Sequence, residues 1–149
     1  MRRLALLAML VLGAGGFAGA QSLDEFSGRL SWVPISGGQR ADVGGDGRIA
    51  ATLERSQLTV IGTFEGLPAA AVSASLREGV ATGARGPVIA DLTVTAANSG
   101  SIAGEVRLSR SQVAALREGR LYVQLHAERG VAPDNAVLWG WLLAEGATR

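Results

Sequence analysis

Alternation of apolar and polar positions at a period of two runs through most of the chain, and it is clearest near the end. Leu121, Val123 and Leu125 alternate with Tyr122, Gln124 and His126, which gives a strand with one face toward a core. A second strand, Ala136 to Leu143, is apolar on both faces. It must be covered on both sides, or it presents an aromatic strip to water. Gly130, Pro133 and Asn135 lie in the polar loop between the two. Upstream, Phe26, Leu30 and Trp32 share one face of a strand that Pro34 stops, because proline cannot donate to a sheet ladder. Ile49, Ala51 and Leu53 form the next inward face, and Arg55-Ser56 the tight turn after it. Leu58, Val60 and Phe64 form another, in which Gly62 signals a bulge or a close backbone approach. Further inward faces are Val88, Ala90, Leu92 and Val94, then Ile102, Val106 and Leu108.

Residues 69 to 78 fit two elements. The alanines and the Leu76-Arg77-Glu78-Gly79 ending suit a helix; Val72, Ala74 and Leu76 suit the inward face of a strand. Short strands on both sides favour the strand. One helix is well signalled. Ser109 and Gln112 form a capping box, Val113 and Leu116 share a face, and Gly119 fits the left-handed position after the last turn. Eight short strands with turn signals about every ten residues predict an antiparallel sandwich or small barrel.

Residues 1 to 20 read as a secretory signal peptide. Arg2 and Arg3 precede the apolar run Leu4 to Leu12, and Ala18-Gly19-Ala20 supplies small residues for cleavage before Gln21. An uncleaved anchor is the other reading, disfavoured by so short a run. The chain is thus expected to be exported to periplasm, cell surface or medium, with residues 21 to 149 as one domain and no transmembrane segment after cleavage. There is no cysteine, so packing alone must hold the fold, and thiol catalysis and lipid attachment at a lipobox are excluded. Removing Arg2 and Arg3 leaves 12 basic residues against 13 acidic ones. Nothing in that balance favours nucleic acid, which asks for a basic stripe with aromatics.

The ordered set of motifs resembles the CHRD domain, the module named after chordin. The pieces are Leu30-Ser31-Trp32-Val33-Pro34, Gly47, Phe64-Glu65-Gly66-Leu67, the Ser109 to Gly119 helix, Leu121 to His126, and Trp139-Gly140. The resemblance implies an all-β, Greek-key antiparallel β-sandwich, immunoglobulin-like or superoxide-dismutase-like, and no established enzyme activity. It also marks departures. The family's His-x-His pair falls on Ser75 and Arg77, its closing Arg on Trp139, and its next polar residue on Trp141.

Candidate chemistry is sparse. A metal site needs several converging ligands, and His126 is the single histidine. Glu128 lies two residues along the same strand face, and Asp42, Asp46 or Asp134 could join from loops. No Gly-x-Ser-x-Gly elbow is present, and the Gly-rich stretch at 37 to 47 lacks a phosphate-loop ending. No cofactor and no catalytic residue is expected. The feature that invites a function is Trp139 and Trp141, which point opposite to Leu138 and Leu142, beside Tyr122 and His126. Either this strip is a binding surface for a partner protein or a sugar, or the helix or the N-terminal strand covers it, with Trp32 in the same cluster. The expected function is a non-catalytic exported module that binds a protein or an envelope component, with self-association through the strip as one possibility. The alternative is a metal-dependent redox enzyme of dismutase-like architecture.

Overall fold

The structure is a computed structural model and describes residues 23–145; the expected signal peptide at residues 1 to 20 lies outside them. The strands are β1 (Asp24–Trp32), β2 (Asp46–Glu54), β3 (Gln57–Glu65), β4 (Ala71–Glu78), β5 (Val88–Val94), β6 (Gly100–Arg107), β7 (Leu121–Val131), β8 (Ala136–Trp141) and the two-residue β9 (Leu143–Ala144). A 3-10 helix, Gly37–Asp42, lies between β1 and β2, and helix α1, Arg110–Arg117, precedes β7.

Each strand pairs antiparallel with its neighbours in the order β2-β3-β6-β5-β4-β7-β8-β1, and β1 returns to β2. The first eight strands therefore close into a barrel. The expected two-sheet sandwich is corrected by β1, whose Asp24 to Leu30 pairs with β2 while Ser31 and Trp32 pair with Trp139 and Leu138. A strand bonded along both margins leaves no edge there for another chain to extend. At the other seam, Thr93 and Val94 of β5 pair with Ala103 and Ile102 of β6, while the rest of β5 pairs with β4.

Most inward residues are those that the alternation marks, although Trp32, set on the face of Phe26 and Leu30, is exposed. Leu30, Leu58, Val60, Leu76, Leu121, Val123, Leu125 and Leu138 are buried in one apolar cluster. Each such aliphatic side chain contributes about 1.5–3 kcal/mol by leaving water, which is how a thiol-free domain of this size holds together. Gly62 serves close approach and not a bulge. It pairs in unbroken register with Ile49, and a Cβ there would meet the Arg48 carbonyl oxygen at 2.9 Å.

β4 is a strand, as its neighbours suggested, but its inward face differs from the pattern. The pairing with β7 shifts register between Ala71 and Ser73. The bulge turns Ala71 inward and leaves Val72 55% exposed. In β5, Val88 is likewise exposed, beyond a register shift at Leu76/Arg77 in the pairing with β4, while Leu92 is buried and Ala90 and Val94 pack against the core. Helix α1 forms as its signals require. Ser109 Oγ accepts from the Gln112 amide at 3.2 Å, Gln112 Oε1 accepts from the Ser109 amide at 2.8 Å, and Gly119 has φ +73°. Its Ala115 and Leu116 are buried. At the start of β7, Arg120 bonds Glu118 at 2.8 Å and Glu78 at 3.2 Å. The Glu118 hydrogen bond raises its pKa above the usual arginine value.

Candidate functional site

The outer face of β4, β7 and β8 carries the aromatic strip. Register sets Tyr122 beside Trp141 and Gln124 beside Trp139, so the four side chains share a face as cross-strand neighbours do. Tyr122 and Trp141 stack with ring centroids 4.4 Å apart. Trp139 meets both rings edge-on, 5.9 Å from Tyr122 and 5.5 Å from Trp141. Offset-stacked and edge-to-face contacts are the two favourable geometries for aromatic pairs, so the three rings brace one another.

Two loops flank the strip, and neither is the cover expected from the sequence. Residues 79 to 87 fold over Tyr122 and Trp141. The Tyr122 hydroxyl accepts from the Gly86 amide at 2.8 Å and donates to the Gly86 carbonyl at 3.3 Å. Thr82 Oγ1 ties the same loop to the Gly119 carbonyl at 2.7 Å. On the other side, Val33, Val43, Val131 and Ala136 form a second apolar cluster, and Ile35 and Trp139 pack against it. Tyr122 is thereby fully buried and His126 nearly so, while Trp139 and Trp141 are half-buried. Trp32 stands apart. Its partner across the strands is Leu138, a core residue, and not the strip.

A polar network continues the same face. His126 Nε2 lies 3.4 Å from Arg77 and 3.3 Å from Gln124 Nε2. Both neighbours are donors, since guanidinium has no acceptor and the Gln124 amide nitrogen also donates to Asp134 Oδ2 at 3.4 Å. Nε2 is therefore the acceptor, and Nδ1 carries the hydrogen that it donates to the Asp134 carbonyl at 2.9 Å. Arg77 also donates to Ser75 Oγ at 2.9 Å and pairs with Asp134 at 3.6 Å.

The chemistry open to this network is narrow. A metal ion or a transferable proton at His126 Nε2 would have to displace two donors. Ser75 lies beside a guanidinium, with no general base on its hydroxyl. Among the described residues, no three His, Cys, Asp or Glu side chains converge as a metal site. Asp42, Asp46 and Glu128 have no hydrogen bond or ion pair to His126, whereas Asp134 does. Two buried polar atoms of the face, Gln124 Oε1 and Trp141 Nε1, have no hydrogen-bond partner among the described residues. Each costs about 1–3 kcal/mol, so this face is held at some expense of stability. Gln124 and the bracing role of Tyr122 escape notice in the sequence. The available signal is that every outward residue of β7 from 122 to 126 can hydrogen-bond, opposite a strand that is apolar on both faces.

The sequence model of the CHRD domain matches residues 33–132. That match covers β2 to β7 and helix α1, and it ends before Asp134, Trp139 and Trp141. No curated protein and no solved structure matches the chain. With about two-thirds of its 149 residues matched in one uninterrupted span, this chain belongs to the CHRD domain family.

Proposed function

We propose that this protein is an exported, non-catalytic binding module that engages a protein or an envelope component through Trp139 and Trp141. The observation that carries the reading is a pair of half-buried indoles braced on a fully buried tyrosine. Rigid, partly desolvated aromatics give contact area at little entropic cost, which is the usual make-up of an interaction hot spot. Tyr122 and His126 serve as supports. The first braces both indoles, and the second anchors the 132 to 135 turn through Asp134. Export is supported by the arginine pair, apolar run and small-residue ending at the N-terminus.

Co-sedimentation with isolated cell envelopes tests the proposal. The purified chain should pellet with envelopes in a saturable way, and the Trp139→Ala/Trp141→Ala double variant should remain in the supernatant with an unchanged far-UV spectrum. Equal pelleting of the two proteins would rule out the strip as the binding surface. Stoichiometric copper, zinc or iron in protein purified without chelator or tag would instead favour the redox alternative.

A further inference from the structure

A second surface lies where β1, β2 and β3 adjoin, next to the tryptophan pair on β8 through Ser31, which pairs with Trp139. Two adjoining clefts open there. One, of about 510 Å³, is lined by residues that include Trp32, Ser31, Arg29 and Asp46. The other, of about 310 Å³, shares Arg29 and Asp46 and extends past Arg48 to Glu65. Both are substantially open to solvent, and neither is an enclosed cavity.

The indole at one end is fixed before any ligand arrives. Trp32 Nε1 donates to the Gly45 carbonyl at 3.0 Å, and the Arg40 guanidinium stands 4.0 Å from the ring centroid. Even so, Trp32 is 38% exposed, on the wall of the larger cleft. A ring held in this way loses little freedom on binding.

Charge selects the ligand class. Asp46 and Glu65 face each other directly across β2 and β3, an arrangement of like charges that destabilises a sheet. Arg29 relieves only Asp46, through a 3.3 Å pair exposed on both sides and so easily exchanged. Arg48 and Glu65 have no ion-pair partner among the described residues. The two clefts thus offer two guanidinium groups, on Arg29 and Arg48, and two carboxylates, on Asp46 and Glu65, while Arg40, against the indole, lines neither cleft. A polyanion would meet the carboxylates, and a polycation the guanidinium groups. A neutral ligand with an apolar face and a rim of hydroxyls meets neither penalty. Its hydroxyls can donate to Asp46 and Glu65 and accept from Arg29 and Arg48, while its ring face packs on the indole.

We propose that this groove binds a neutral oligosaccharide, with one sugar ring on Trp32 and the next units between Asp46, Arg48 and Glu65.

Isothermal titration of the full chain with maltohexaose, cellohexaose and chitohexaose tests this, with polygalacturonate and chitosan oligomers as charged controls. At least one neutral hexasaccharide should bind saturably. Asp46→Asn, at a half-buried position outside the apolar core, should weaken that binding about tenfold or more, as expected when a charged hydrogen-bond partner is lost. Trp32→Ala, with its fold checked by circular dichroism, should do the same, and Trp141→Ala should retain the binding. The proposal is overturned by no saturable heat from any of the three neutral probes, or by binding of the charged polymers alone. Binding that survives Asp46→Asn and Trp32→Ala unchanged would overturn it too.

Discussion

His126 shows how much one side chain can organise without performing chemistry. It accepts from β4 through Arg77 and from its own strand through Gln124, and it donates to the turn that leads into β8. Removing it leaves three polar groups to find new partners in a site that is only partly open to water. His126→Ala should therefore lower stability by about 1–2 kcal/mol. A urea titration would show this as a lower midpoint at constant slope; an unchanged midpoint would mean the network adds nothing. At this scale the sequence reveals directions more readily than surroundings. Trp139 and Trp141 oppose Leu138 and Leu142 because strand residues alternate, and this needs no knowledge of the rest of the fold. The burial of Tyr122 depends on a loop 36 residues away, tied down through the Gly86 amide. No local pattern announces such a contact.

Whole elements divide along the same line. Helix α1 is legible because all its signals are local: a capping box at one end and a left-handed glycine at the other. Ser109→Ala should destabilise the protein by about 1 kcal/mol. Gly119→Ala should cost at least about 1 kcal/mol, since its φ of +73° strains any residue with a Cβ. Thermal unfolding followed at 222 nm would report both. β4 is the opposite case. Its alternation suggests Val72 as a core residue, and the bulge against β7 turns that side chain to solvent. Val72→Ser should accordingly change stability by no more than about 0.5 kcal/mol. An inward valine would lose at least about 1 kcal/mol in the same substitution, so a large drop would refute the bulged register. The bulge escapes the sequence because one extra residue on one strand is defined only relative to its partner, and β7 lies some 50 residues downstream.

At the scale of the molecule, closure is the property hardest to see in the sequence and the one on which stability depends most. Eight strands can be counted from the alternation, but nothing local says that β3 pairs with β6, or that β1 bonds β2 on one margin and β8 on the other. The family match, at residues 33–132, spans neither β1 nor β8. It would be natural to treat that span as the folding unit, and the barrel argues against doing so. β1 and β8 bring Phe26, Leu30, Val137 and Leu138 into the interior. At about 1.5–3 kcal/mol for each, their combined burial is comparable with the ~5–15 kcal/mol net stability of a typical domain. Their loss would also bare one margin of β2 and one of β7, and unpaired strand margins invite aggregation. A fragment limited to residues 33–132 should therefore give a collapsed amide proton spectrum and no cooperative thermal transition, whereas residues 21–149 should give dispersed resonances and a single sharp one. A dispersed spectrum from the shorter fragment would mean that the six strands β2 to β7 pack without the closing pair, and that β1 and β8 are additions to a self-sufficient core.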